Sequence, residues 1–513
     1  MRGGVSRKPQ EATMIGRITG GSISNLTATL AEMAGLGSFV VIRDGPRKYW
    51  GTITDLSHPQ VPPELAQVTL SGSRFQPEAG IDLKRMSEDG SDPLPVKQLP
   101  SLGSEIHQAG PDDIEALFGP TTPPHFVVGT MGGGHSLPIN LERLVKRPVG
   151  VFGATGTGKS FTVRVLLAGL IQHGVGGNMI FDFHNDYAAH KDQSSARLRL
   201  VTLGSGTSGD RQPDFNLEIS PQAITPRDIL NMRELLNLTD NAYLVLQGAR
   251  SHFGKRWFSS FTGLSPHRKE DEDGNPLPGC LASFSNLTHL HPASVRSTWA
   301  KLQGVAKKGY IHHNKALTGM IDSLENGMTV VVNFGRYETD MDLILVSNIL
   351  SRLIRSRWVE KTNAHKSGND PAPPTPLTLW LEEAHKLLNP EVARQTTFGI
   401  LAREMRKFGV TLGVIDQRPS EIDPDVMSQI GTRISGWLGD RSDIRGTLAG
   451  ISDRGLSEQL ARLAPKQEAV IMGWGVPIPV TVRVRDFFEL RQELAGQNGS
   501  TQTAEESIQE LGF

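Results

Sequence analysis

Over 513 residues, 53 lysines and arginines stand against 54 aspartates and glutamates, a formal net charge of −1; this balance neither requires nor excludes a polyanionic partner, which needs only a local basic surface. The single cysteine, Cys280, excludes an intramolecular disulfide and a cysteine-based zinc site and points to a reducing cytoplasm. No apolar stretch reaches the ~18 residues of a membrane span, the N-terminus reads as no signal peptide, and the length suits about three domains.

The first 13 residues, MRGGVSRKPQEAT, read as a flexible terminus. From 14 to 100, short β-prone pieces such as MIGRITGG, SFVVIRD and KYWGTITDL are separated by Gly, Pro, Asp and Asn, which predicts a small antiparallel barrel-like β domain. Residues 101–148 form a connector. Its glycine run, Gly132 to Gly134, lacks the Lys-Ser end of a phosphate loop and reads as a turn.

The stretch Val149 to Phe161, VGVFGATGTGKSF, organises the rest of the chain. An apolar strand runs into a glycine loop of the form G-x-x-x-x-G-K-S, and a helix opens behind it, the context in which this pattern cradles phosphates. Glycines let backbone N–H groups turn inward on a phosphate chain, and the helix N-terminus adds positive potential. The nucleotide-holding residues are therefore Gly153, Ala154, Thr155, Gly156, Thr157, Gly158, Lys159, Ser160 and Phe161, with Lys159 on the β- and γ-phosphates and the Ser160 hydroxyl on Mg²⁺.

Beyond the loop helix, Met179 to Phe183 reads as a strand ending in Asp182, followed by His184-Asn185-Asp186-Tyr187. Asp182 and Asp186 belong either to the ligand edge of a parallel sheet or to a polar strand-end loop. Residues of about 190–320 break the βαβ rhythm and predict a mostly helical insertion, with helices over Pro226 to Leu236, Asn241 to His252 and Ala293 to Ala306. The basic segment Lys307 to Lys315 reads as a solvated loop or a phosphate-backbone contact. The core then resumes with strands over Met328 to Phe334, Leu377 to Leu381 and Val410 to Ile415, helices over Asp340 to Val359 and Glu391 to Phe408, and closing strands over Glu468 to Met472 and Val480 to Arg485. The ATPase core thus runs from 149 to 489, and 490–513 form a tail whose end is either flexible or a short docking segment.

Phosphoanhydride hydrolysis needs neutralised γ-phosphate charge, a held metal and an oriented water. LTLWLEEAH places Glu382 and Glu383 at a strand end; the first faces Mg²⁺ and the second accepts a hydrogen bond from the attacking water. Gln417, closing the next strand, is placed to sense the γ-phosphate or orient that water. Among Arg403, Arg406, Arg418, Arg433, Arg441 and Arg445, Arg433 is the chosen candidate for an arginine finger.

With these residues laid out, the chain resembles the HerA family of the FtsK–HerA superfamily of ring ATPases. GATGTGKSFT resembles its Walker A, DFHNDY its strand-two motif, LWLEEAH its Walker B with catalytic Glu, and AREMRKFGVTLGVIDQRPSEIDPDVMSQIGTRI its most characteristic stretch, with the glutamine sensor in Gln-Arg-Pro-Ser. The resemblance implies an α/β, RecA-like P-loop NTPase core with a mainly parallel sheet and helical insertion, behind a HAS-barrel-like N-terminal domain. It further implies ATP and Mg²⁺ as cofactors, a homohexamer, translocation of double-stranded DNA, and a separate effector, a nuclease or sirtuin-like NADase, in DNA end processing or anti-phage defence. A ring-shaped scaffold ATPase that mainly activates the effector is the alternative. Two positions depart from the family pattern: Glu382 stands where Asp is usual, and Trp437 where an Arg is common.

Overall fold

The computed structural model describes residues 13–32, 34–58, 76–184, 186–187, 197–204, 213–267, 277–312, 316–395, 397–451 and 455–495. The first 12 residues, residues 268–276, residues 313–315 of the basic segment and the tail from 496 are among those outside them. The strands in chain order are β1 (Met14–Ser22), β2 (Asn25–Leu30), β3 (Phe39–Asp44), β4 (Arg47–Ser57), β5 (Glu78–Glu88) and β6 (Glu105–Gln108). They are followed by β7 (His125–Met131), β8 (Ser136–Asn140), β9 (Val149–Phe152), β10 (Gly177–Asp182), β11 (Leu198–Leu203) and β12 (Phe215–Leu217). The last are β13 (Thr329–Asn333), β14 (Leu377–Leu381), β15 (Val410–Asp416), β16 (Thr432–Ser435), β17 (Glu468–Gly473) and β18 (Val480–Val484).

The chain divides into two compact units. One comprises residues 1–144, 154–158 and 431–486; the other comprises 145–153, 159–430 and 487–513. In the first, β1 to β6 close an antiparallel barrel in the order β1-β2-β5-β4-β3-β6. Alternation along the strands turns Ile15, Ile18, Leu26, Ala28, Val40, Ile42, Ile53, Ile81 and Ile106 into its interior, and closure removes the unpaired strand edges that an open sheet would expose. The barrel ends at Gln108, past the expected boundary at 100, because the short EIHQ segment that closes it carries only Ile106 as an apolar signal. The same unit holds the antiparallel run β16-β17-β18-β7-β8. Gly132 to Gly134 form the turn of its β7–β8 hairpin, where Met131 N–H donates to the His135 carbonyl at 2.7 Å.

In the second unit seven strands lie parallel in the order β12-β11-β13-β10-β14-β15-β9. Every residue of β9, β10, β13, β14 and β15 is buried, the continuous apolar pattern of a sheet covered on both faces. This is the α/β P-loop core. The stretch expected to be mostly helical also supplies two of its strands, β11 and β12, while its described residues include the helices Pro226–Leu230, Ala242–Phe253, Trp257–Thr262, Leu281–Thr288 and Pro292–Ala306. They pack around Trp257, Phe258, Phe261, Phe284 and Leu302. Part of the basic segment is tied down: Lys308 Nζ and Tyr310 Oη reach the carboxylate of buried Asp342 at 2.9 and 2.6 Å.

The expected helix over Glu391 to Phe408 is broken into Pro390–Gln395, Thr397–Glu404 and a 3₁₀ turn, Met405–Phe408. Gly399 explains the break. A Cβ there would lie 2.0 Å from the Ala393 carbonyl oxygen, so only glycine lets the two short helices approach. No helix among the described residues is long and apolar enough to cross a membrane.

Candidate active site

The site grows from the carboxyl edge of the parallel sheet, where crossover connections leave strand ends facing a common side. After β9 the chain turns at Gly156 and Gly158, with φ of 78° and 92°, conformations that L side chains rarely adopt. Within residues 154–158 the Thr157 hydroxyl closes the turn on the Ala154 carbonyl at 2.7 Å, and Ala154 N–H donates to the Trp437 carbonyl at 2.9 Å. The helix Lys159–Gln172 begins immediately. Lys159 Nζ donates back to the Gly153 carbonyl at 2.8 Å. Burial pulls its pKa down, while Glu383, Asp416, Glu382 and Asp186 act in the opposite direction. A half-buried cation is thus flanked by carboxylates.

Ser160 Oγ donates to Asp186 Oδ2 at 2.7 Å. Asp186 is fixed by the exit of β10: Asp182, fully buried, accepts the N–H groups of Asp186 and Tyr187 at 2.8 and 3.1 Å. Arg164, one turn along the loop helix, donates to the Asp186 carbonyl and stacks against Phe161 and Tyr187, with its guanidinium carbon 5.2 and 5.9 Å from the ring centroids. Glu382 Oε2 accepts the N–H groups of Phe183 and His184 at 3.2 and 3.3 Å. Burial, then the nearby Asp182 and Asp186, push its pKa well above the usual carboxylate value. Glu382 thus sits in like-charge contact with Asp182 and Asp186, which adds to the cost of its burial.

Glu383 occupies a left-handed conformation, φ 44°, at the end of β14. Non-glycine residues held there store strain, and such residues cluster at functional sites. Its carboxylate meets three side chains: Gln417 Nε2 donates at 3.3 Å, His385 Nδ1 lies 3.5 Å away, and His184 Nε2 lies at 3.8 Å. His385 in turn contacts Asp416 through its ring Nδ1 at 3.0 Å and its N–H at 2.6 Å. Arg418 N–H caps the other oxygen of that carboxylate at 2.6 Å.

Lys159, Ser160, Glu382, Glu383 and Gln417 are therefore gathered at one sheet edge in one unit. Arg433 is not among them. It lies in β16 of the other unit, buried, with its guanidinium donating to the Thr447 carbonyl and its pKa pulled down by burial to about 10. A guanidinium folded into its own subunit is not presented to a neighbour, which is the geometry a finger needs. The Phe161 ring packs edge-on against Phe488, with centroids 5.8 Å apart. Sequence reading did not single out His184, His385, Asp416 or Arg164. Asp416 and His385 each directly adjoin or nearly adjoin a selected residue, and a polar residue closing an apolar strand was the available signal.

A glycine loop, the lysine that follows it and a strand-end glutamate pair on a parallel sheet define a P-loop ATPase. The model for the central domain of helicase HerA matches residues 126–354. The DNA double-strand break repair helicase HerA of Pyrococcus furiosus is 23% identical over 468 residues, covering 82% of this chain and 79% of that protein. The protein of the same name from Sulfolobus acidocaldarius is 25% identical over 507 residues, covering 92% and 93%. Over most of its length the chain is thus similar to HerA-family helicases. Among solved structures, plasmid coupling protein TrwB in complex with ADP and Mg²⁺ aligns with 14% identity and a TM-score of 0.43 over 72% of this chain and 96% of that one.

Proposed function

We propose that this ATPase works as a homohexamer that moves double-stranded DNA at the expense of ATP, in company with a separate nuclease or NADase effector in the cytoplasm. The match to the HerA central-domain model and the relatives named as DNA repair helicases support the DNA substrate; the ring and the effector follow from the family resemblance. The observation that carries the enzymatic reading is the Glu383 carboxylate, held by the Gln417 amide at the sheet edge that also holds the half-buried Lys159.

In this reading Lys159 binds the β- and γ-phosphates and Glu383 accepts the proton side of the attacking water, with Gln417 fixing its carboxylate. Ser160, Asp186 and Glu382 offer hard oxygen donors, the set that suits Mg²⁺, which takes one or two carboxylates and completes its shell with phosphate and water. Bound there, Mg²⁺ would neutralise phosphate charge.

The test compares wild type with Glu383→Gln for solution mass, nucleotide binding and ATP turnover with and without duplex DNA. A six-subunit particle with DNA-stimulated turnover, lost in Glu383→Gln while nucleotide binding persists, is expected. Turnover indifferent to DNA would favour an effector scaffold, and a monomer would remove the ring.

A further inference from the structure

We infer that Asp416 and His385 form a positioning pair that sets the Glu383 carboxylate for hydrolysis. The inference rests on Glu383 as the water-orienting residue and extends that role to two side chains that do not themselves meet the nucleotide.

The geometry is a closed circuit between two adjacent parallel strands. Glu383 follows β14 and Asp416 ends β15, and the strands are paired from Leu377↔Val410 to Leu381↔Val414. His385 Nδ1 stands between the two carboxylates, 3.0 Å from Asp416 Oδ2 and 3.5 Å from Glu383 Oε2. With carboxylate oxygens on both sides, Nδ1 must carry the proton, and Asp416 decides that tautomer. The circuit is completed on the far side by Gln417, next in sequence to Asp416, whose amide donates to the same Glu383 Oε2 at 3.3 Å. Asp416 is itself immobilised: it is fully buried and accepts the N–H groups of His385 and Arg418, both at 2.6 Å.

The Gln417 amide thus donates to Glu383 Oε2 while the His385 ring, its Nδ1 proton directed to Asp416, flanks the same oxygen at 3.5 Å. The arrangement also answers the backbone strain. A glutamate at φ 44° persists only when its surroundings over-determine it. Ala384 N–H to the Ile415 carbonyl at 3.3 Å and Lys386 N–H to the Glu383 carbonyl at 2.9 Å hold the turn, while the His385 ring holds the side chain. Asp416 favours the imidazolium of His385, so the pair carries extra attraction for Glu383 when protonated. The role is orientational, and small displacements of a reacting group cost rate rather than binding.

The experiment measures ATP affinity and kcat per nucleotide-binding site in the full chain for wild type, Glu383→Gln, His385→Ala, His385→Asn, His385→Gln and Asp416→Asn. Expected for His385→Ala is a loss of kcat on the order of 100-fold with KM and nucleotide affinity unchanged. The Asn side chain places an N–H donor near the position of Nδ1, so His385→Asn recovers most of that loss, whereas His385→Gln, whose amide matches Nε2, does not. Adding His385→Ala to Glu383→Gln should cost nothing further, because there is no carboxylate left to position. Unchanged kcat in folded His385→Ala, or equal losses in the Ala and Asn variants, overturns the pair. If His385→Ala fails to fold, Asp416→Asn must show the same kcat-only loss or the inference falls. Wild-type turnover by Glu383→Gln would refute the underlying reading as well, a result distinct from failure of the pair alone.

Discussion

Glu383 shows how much of a site can hang on one backbone angle. Its left-handed turn directs the carboxylate toward Gln417 and His385 while the preceding Glu382 stays buried against the N–H groups of Phe183 and His184. Neighbours in sequence, the two glutamates therefore face different partners, as the separate metal and water roles proposed for them require. His385 brings a measurable dependence on pH. Its side-chain hydrogen bond with Asp416 raises its pKa above the ordinary 6.5. A group raised on folding contributes stability that is fully present below the unfolded-state pKa and is lost as pH rises through the folded-state value. The difference in melting temperature between wild type and His385→Ala should accordingly be larger near about pH 6 than near about pH 9. A difference that grew with pH would reverse the assigned protonation state.

At the scale of elements, buried charge joins the helical insertion to the core. Asp228, in the helix Pro226–Leu230, is almost wholly buried and accepts from Arg352 NH2 at 2.9 Å and Asn348 Nδ2 at 2.7 Å, both on the long helix Asp340–Lys366. It also closes a capping box with Thr225. Removing one partner of such a pair leaves an uncompensated charge, so Asp228→Ala should lower unfolding free energy by about 3–5 kcal/mol, read from denaturant midpoints at constant m. The apolar strands β9, β13, β14 and β15 were legible because a parallel sheet covered on both faces demands unbroken Val, Ile and Leu. β11 and β12 were not: LRLVTL is short and interrupted by Arg199, and FNL is three residues long. The helix over Pro226 was overextended to Leu236 because its apolar spacing continues after Leu230, where regular helix gives way to turns held by bonds such as Leu236 N–H to the Met232 carbonyl at 2.9 Å. In the site, Lys159, Ser160, Glu382, Glu383 and Gln417 stood out by motif. Asp416 and His385 did not, since their meaning lies in a contact across two strands that no local pattern records.

For the whole molecule, the barrel and the parallel core are built on opposite principles. The barrel pairs near neighbours in a tight antiparallel circuit, whereas each strand pair of the core must await a crossover. β9, which carries the phosphate loop, takes β15 as its parallel partner, Val149 beside Gly413. Thr411 likewise donates to the Val145 carbonyl across 266 residues of sequence. During synthesis the loop therefore leaves the ribosome long before the strand that supports it, and Asp416 and Gln417 follow later still. Nascent chains arrested before Val410 should cross-link no ATP analogue, and chains extended through β15 and its exit should begin to do so. The nucleotide would then act as a ligand of the late folding intermediate, and its abundance in the cell would favour completion of the newly made core.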